Sequence, residues 1–107
     1  MKKTMSLLIL SSILLIGCGS KKEDKDLTQN PFMQEWNTPY GVPPFDKITE
    51  SDYLPAFEEG MRQQMEEVNA IINNSEEPTF ENTILALENS GKLLNNVSAV
   101  FFNLAEC

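Results

Sequence analysis

The stretch TESDYLPAFEEGMRQQMEEVNAII, residues 49–72, decides the fold class of this 107-residue chain. Residues 49–52 predict a helix start, because they include a hydroxyl or carboxylate that can cap the helix and the acids typical of a first turn. Pro55 is tolerated only near a helix start, so we predict a regular helix from about Pro55 to Asn73. Its apolar residues recur at steps of three or four, which marks one helix face: Leu54, Phe57, Met61, Met65, Val68 and Ile72.

The opposite side of this helix is predicted to be a solvated face, made of Glu58, Glu59, Arg62, Gln63, Glu66 and Glu67. Glu58 and Arg62 have the spacing of an i,i+4 ion pair. Adjacent residues on a helix diverge by about 100°. The acidic doublets of this face therefore do not converge on a substrate as catalytic pairs.

A second helix is predicted from residue 79 to the end of the sequence. Residues 73–78 form a polar break that ends in proline, and Thr79 is a suitable N-cap. Small residues at Gly91 and Ser98 would let another helix approach closely. The helical repeat has one apolar stripe: Phe80, Ile84, Leu87, Gly91, Leu94, Ser98, Phe101 and Ala105. Leu93, Val97, Val100 and Leu104 widen it on one flank. We therefore predict an all-α fold.

These two apolar faces are too broad for a helical hairpin to bury. Val97, Val100, Phe101, Phe102 and Leu104 together exceed what one partner helix covers. Small domains bury only about 60% of their unfolded surface even when complete. We therefore expect these helices to belong to a larger helical body, covered by further polypeptide.

The segment from Asn30 to Phe45 is rich in proline and aromatic residues. Its four prolines remove backbone donors and favour extended conformations, so no long regular element is expected. The interleaved aromatics are Phe32, Trp36, Tyr40 and Phe45. An irregular segment with four aromatics is predicted to pack along a surface. A proline-rich ligand for a recognition domain is the alternative, although a spaced P-x-x-P is missing.

The N-terminal residues have the pattern of a secretory signal peptide ending at Cys18. Lys2 and Lys3 precede an apolar run over residues 7–16, and Gly17 precedes the cysteine. The run of about 10 residues is too short to span a bilayer, which needs about 20. The residues around Cys18 fit the pattern of bacterial lipoproteins, which are cleaved before the cysteine and lipidated on it. A plain signal peptide with a chance cysteine is the alternative.

Charge and residue usage exclude several classes of function. Loss of residues 1–17 would take the formal net charge from −8 to −10, because it removes two lysines. Nucleic-acid binding and electrostatic attachment to anionic lipid do not suit so acidic a chain. The chain has no histidine and only two cysteines. Ser–His or Cys–His catalysis and the usual structural zinc sites are therefore excluded, whereas catalysis by paired carboxylates stays formally open.

Four stretches of this sequence carry a resemblance to a known family. They are Asn30-Pro31-Phe32, the run WNTPYGVPPFDKI at residues 36–48 with YLPAFE at 53–58, and PTFENTI at 78–84. In order and spacing they resemble the start of thimet-oligopeptidase-type zinc metallopeptidases, and bacterial peptidyl-dipeptidases most of all. The resemblance covers residues 30–107.

The resemblance implies a large two-lobed helical fold around a deep channel. Family members hold one zinc ion with a His-Glu-x-x-His helix and a downstream glutamate, and peptidyl-dipeptidases release C-terminal dipeptides from peptides. None of those residues has a counterpart in this chain. No catalytic, cofactor-binding or metal-ligating role therefore transfers to any position, and the chain alone is expected to be inactive.

The predicted organisation has three parts. Residues 1–17 are a lipoprotein signal peptide, residues 18–29 a disordered charged tether, and residues 30–107 a truncated N-terminal helical lobe segment. We expect an outer-membrane lipoprotein held by acyl chains on Cys18, facing either the periplasm or the cell surface. Its parent would be a zinc peptidyl-dipeptidase acting on peptide substrates. The alternative is a short non-catalytic helical lipoprotein that serves as an interaction module.

The exposed apolar stripes predict the behaviour of the secreted residues on their own. Residues 18–107 expressed without lipid should self-associate, or show loose helical structure without a cooperative melt. Circular dichroism during heating, combined with sedimentation, measures both properties. A sharp unfolding transition of a monomer would contradict the expectation.

Overall fold

The computed structural model describes residues 26–107. Within this range the chain forms helices, turns and irregular segments, and no described residue lies in a β-strand. The predicted all-α class is therefore confirmed for this part of the chain. The signal peptide, Cys18 and residues 19–25 of the tether lie outside the described residues. The last tether residues form one 3-10 turn, Leu27–Gln29.

Helix α1 spans Glu50–Ile72 and begins with a side-chain cap. The Thr49 backbone amide and the Thr49 hydroxyl each donate to one carboxylate oxygen of Asp52, at 2.7 Å. The helix thus begins at the predicted capping residues. The prediction that the regular helix starts near Pro55 is wrong, because α1 begins about one and a half turns earlier. Pro55 is accommodated because the donor it removes would have bonded to Ser51, which is exposed.

The continuous helix predicted from residue 79 to the end is also wrong. The structure has a π-helical segment, Phe80–Leu85, then one α-helical turn, α2, Ala86–Glu88, and then helix α3, Lys92–Ala105. The predicted cap at Thr79 is confirmed, because its hydroxyl accepts from the Asn82 amide at 3.1 Å. Gly91 separates α2 from α3 with φ +70°, a left-handed conformation that glycine adopts without strain and that ends helices.

Helices α1 and α3 cross at a contact between Gly60 and Leu94. A Cβ atom added to Gly60 would lie 3.0 Å from the backbone N and Cα of Leu94, so the two backbones nearly touch. Ala56, one turn before Gly60, is fully buried, as is Val97 on α3. The small side chains of α1 therefore form its packed face, and the larger apolar side chains of α3 fill the core.

This crossing turns the predicted apolar stripe of α1 away from α3. Phe57 and Val68 on one flank are half-buried. The remaining four members are exposed: Leu54 by 55%, Met61 by 53%, Met65 by 63% and Ile72 by 70%. We call these four residues the outer stripe. Four residues of the predicted solvated face are exposed, and the other two, Glu59 and Gln63, are half-buried. The buried residues of α1 are Asp52, Ala56 and Gly60, which that prediction did not include.

The proline-rich segment at residues 30–45, which we call the lead-in, packs on the helices through its first residues, whereas its last two aromatic side chains are exposed. The Asn30 side chain is buried, donates to the Asp52 carbonyl at 2.8 Å and accepts from the Phe32 amide at 3.0 Å. Phe32 is buried, and its ring lies 5.5 Å from that of Tyr53 on α1. The predicted surface packing therefore holds for this part of the segment.

Of the later aromatics of the lead-in, Trp36 follows that prediction, because it packs against the core, whereas Tyr40 and Phe45 do not. Trp36 is half-buried, and its indole N–H donates to the Pro31 carbonyl at 3.1 Å. Tyr40 and Phe45, in contrast, are exposed. Tyr40 lies in the 3-10 turn Pro39–Gly41 with φ +60°, so its backbone is left-handed and its ring points to water. Only the first half of the segment is thus fixed to the helices.

Replacing Gly60 tests whether α1 and α3 depend on this close approach. Gly60→Ala raises helix propensity by about 1 kcal/mol, yet its methyl group would lie 3.0 Å from the Leu94 backbone and push α3 away from α1. We expect lower amide protection of α3 in hydrogen-exchange mass spectrometry. The control is Asn69→Ala, an exposed position of the same helix. Equal protection of α3 in both variants would contradict the crossing.

Candidate functional site

The described residues assemble no cluster of side chains that could hold a metal ion. Across residues 26–107, no three histidine, cysteine, aspartate or glutamate side chains come together as a cation site would require. Cys18, the one site residue predicted from the sequence, lies outside this range. No helix in residues 26–107 is both long and apolar enough to cross a membrane. The candidate surfaces are therefore a polar cleft, a charged helix face and the exposed apolar side chains.

An open cleft of about 450 Å³ lies between the end of α1 and the π-helical segment. It is lined by Glu67, Ala70, Ile71, Asn74, Asn82, Ala86, Asn89 and Ser90. Most of its polar groups already bond within the chain. Asn89 donates to the Leu85 carbonyl at 2.9 Å, and the Ser90 hydroxyl donates to the Leu87 carbonyl at 2.7 Å. The cleft is thus a junction between helices, with few groups left to bind a ligand.

Glu67 joins the two sides of this junction. Its carboxylate accepts a hydrogen bond from the Gly91 amide at 2.7 Å, across 24 residues of sequence. That amide lies at the N-terminus of α3, where the helix dipole stabilises the negative charge of Glu67. The helical spacing predicts Glu67 on the solvated face and does not reveal its hydrogen bond with Gly91. The signal that could have revealed it is the Asn89-Ser90-Gly91 triplet, whose residue types favour a helix break.

The charged face of α1 is organised around Arg62. Its guanidinium bonds to Glu59 at 2.7 and 2.8 Å and to Glu66 at 2.5 Å. The predicted partner, Glu58, is not the one used. The hydrogen bond from Arg62, with a second from Gln63, lowers the pKa of Glu59 from 4.5 to about 2. The same contacts raise the pKa of Arg62 above its usual value. This network is a local helix-surface feature without an open position for a substrate.

The acidic doublets diverge, as predicted. Glu66 bonds to Arg62, whereas Glu67 turns to Gly91 on the neighbouring helix. Glu59 likewise turns to Arg62. The two carboxylates of the second doublet therefore have different partners on different elements, and neither doublet forms a catalytic pair.

Exposed apolar side chains form the most extensive unusual surface of the described residues. Besides the outer stripe of α1, they occupy the π-helical segment with α2 and the end of α3: Phe80, Ile84, Leu85, Leu87, Phe101, Phe102 and Leu104. Phe101 still contacts α1, with its ring 5.3 Å from that of Tyr53. Large exposed apolar patches in soluble proteins mark surfaces that bind other polypeptide. These side chains are therefore the candidate surface for contact with further polypeptide.

Two known bacterial proteins are similar to this chain in sequence. No protein-family profile matches the chain. It is 52% identical over 75 residues to the dipeptidyl carboxypeptidase of Escherichia coli (strain K12), and 47% identical over 76 residues to that of Salmonella typhimurium. The matches cover 70% and 71% of this chain but 11% of each relative. The resemblance to peptidyl-dipeptidases is thus confirmed, and the chain spans about one ninth of the length of these relatives.

Removing Arg62 should restore an ordinary titration to Glu59. We expect Arg62→Gln to raise the pKa of Glu59 from about 2 towards 4.5, as measured by NMR of the side-chain carboxyl. Because folding lowers this pKa, ionised Glu59 stabilises α1 fully above about pH 4.5 and no longer does so once the pH falls through about 2. The control is Glu58→Gln, which removes an acid that Arg62 does not contact. A Glu59 pKa near 4.5 in the unsubstituted chain would contradict this geometry.

Proposed function

We propose that this chain supplies a helical segment of a zinc-dependent peptidyl-dipeptidase, an enzyme that releases dipeptides from the C-terminus of peptides. The observation that carries the proposal is the identity of about one half, over 75 residues, to dipeptidyl carboxypeptidases of two bacteria. Identity at this level over one continuous region indicates that the segment serves the same structural purpose in both proteins.

The packing of the described residues supports a role as part of a larger helical body. Ala56 and Val97 are completely buried between α1 and α3, so the two helices have a defined interface. Their outer faces nevertheless keep large apolar side chains in water, such as Met65 and Phe102. Burying a methionine or phenylalanine side chain contributes about 1.5–3 kcal/mol. Covering these faces with further helices would therefore stabilise the segment.

The residues of this chain do not fit the zinc ion of the proposed enzyme. The sequence has no histidine, and Glu59, Glu66 and Glu67 already bond to Arg62 or Gly91. We therefore assign no metal ligand and no catalytic step to the chain. In the proposed enzyme the segment contributes a lobe wall, and zinc chemistry comes from other polypeptide. The 107 residues alone are expected to hydrolyse no peptide.

Lipid attachment at Cys18 completes the proposal. The basic start, the short apolar run and the Gly17-Cys18 junction support export and acylation. The acidic composition gives no attraction to anionic lipid, so the acyl chains would hold the protein on the outer membrane. Two or more acyl chains suffice for stable anchoring. The peptidase would then act outside the cytoplasm, on the periplasmic or the surface side.

A transplant into the Escherichia coli relative tests the proposal. The stretch of its dipeptidyl carboxypeptidase that matches this chain is replaced by the matching residues of this chain. We expect the chimaera to fold and to release dipeptides with a kcat/KM within about tenfold of the parent, because misplacement by about 1 Å would already cost about a hundredfold. Dipeptide release from an N-blocked peptide is followed by mass spectrometry.

Two chimaeric variants serve as the controls. Gly60→Leu should abolish activity, because its side chain would separate α1 from α3, whereas Asn69→Ala at an exposed position should leave activity unchanged. A chimaera that is as soluble and thermostable as the parent but inactive would contradict the proposal. It would favour the alternative of a non-catalytic helical interaction module.

A further inference from the structure

We propose that the outer stripe of α1 is a docking surface for a basic amphipathic helix. The proposal is independent of the proposed peptidase function, since it rests on the geometry and charge of α1. The outer stripe consists of Leu54, Met61, Met65 and Ile72, which are all more than half exposed. The lead-in and helix α3 pack elsewhere on α1, so no other described element covers it.

The outer stripe is a narrow, nearly straight line of side chains that one partner helix could cover. Its members follow Leu54 by 7, 11 and 18 residues, so at about 100° per residue they project within about 20° of one line. From Leu54 to Ile72 the helix rises about 27 Å, at about 1.5 Å per residue. A partner helix of about 18 residues would therefore cover the whole stripe. A shorter apolar ligand would leave one end in water.

The side chains of the outer stripe suit a helix-binding surface. Met61 and Met65 occupy its centre, and methionine is flexible enough to adapt to apolar side chains of different shapes. The packed face of α1 has small residues instead, Ala56 and Gly60. Four large apolar side chains of α1 thus face outward, whereas Tyr53 and Phe57 pack against the core. That distribution points to a partner beyond the described residues.

The charges beside the outer stripe determine the chemistry of that partner. Four of the six acids of α1 are engaged away from the outer stripe: Asp52 is buried, Glu59 and Glu66 pair with Arg62, and Glu67 accepts from Gly91. The other two flank the Leu54 end of the stripe. Glu50 and Glu58, both exposed, project about 40° to either side of Leu54. An uncharged apolar helix would desolvate these carboxylates without compensation. A helix with lysine or arginine on both flanks of its apolar stripe would pair with them.

The same charges argue against a second copy of this chain as the occupant. Two α1 helices meeting along their outer stripes would bring two excesses of negative charge together. Like charges facing each other across an interface cost several kcal/mol. The formal net charge of −8 adds to this repulsion at longer range. At the outer stripe these charges therefore favour a cationic helix over a second copy of α1.

The test uses the full 107-residue chain immobilised at low density through an N-terminal tag. The probe is a designed 18-residue amphipathic helix with leucines along one stripe and lysines on both flanks. Its matched counterpart carries glutamates in place of the lysines. In biolayer interferometry we expect the lysine peptide to bind at least about tenfold more tightly, with affinity falling as salt screens the flanking charges. Equal binding of both peptides would overturn the proposal.

Charge-preserving variants localise the binding. Met61→Ser with Met65→Ser leaves the net charge unchanged and should weaken binding of the lysine peptide about tenfold or more. The matched control, Phe80→Ser with Ile84→Ser, removes two equally exposed apolar side chains elsewhere and should leave binding unchanged. Helicity by circular dichroism verifies that both variants retain α1. Undiminished binding in the methionine variant would indicate attraction by charge alone and overturn the assignment.

Discussion

The contact between Gly60 and Leu94 determines how the described helices are arranged. Because Gly60 has no side chain, the backbone of α3 lies against α1 where a methyl group would already be too close. The packed face of α1 is therefore built from small residues, and its methionines turn outward. Asn30, which bonds to the Asp52 carbonyl, then fixes the lead-in at the start of the same helix. One close crossing thus explains both the compact interface and the exposed apolar stripe.

Much of the secondary structure was predictable because it depends on local chemistry. Thr49 and Thr79 cap helices as their residue types indicate, and their partners lie three residues away. The end of α1 follows from the polar run after Ile72. The break at Gly91 was not predicted because Gly91 fits the three- and four-residue spacing of the apolar stripe, although the Asn89-Ser90-Gly91 triplet favours a turn. The spacing also does not reveal the hydrogen bond from the Gly91 amide to Glu67.

The packed face of α1 could not be predicted from periodicity, for a physical reason. An apolar stripe indicates which residues gain from burial, but not which partner buries them. In α1 the nearest partner, α3, takes the face of Ala56 and Gly60, since close backbone contact needs small side chains. The site predictions are similarly divided. The expectation that no zinc ligand set lies in this chain follows from residue types, because the sequence has no histidine. The contact of Glu67 and the exposure of the outer stripe required the three-dimensional arrangement.

Helix α1 packs on α3 through Ala56 and Gly60 and leaves Met61 and Met65 in water. Peroxide oxidation of the full chain, followed by mass spectrometry, measures this exposure, because Met33 packs against the core and gives an internal reference. We expect Met61 and Met65 to be oxidised several times faster than Met33, at rates close to those of free methionine. Protection of Met61 and Met65 equal to that of Met33 would contradict it, because those side chains would then lie inside a core.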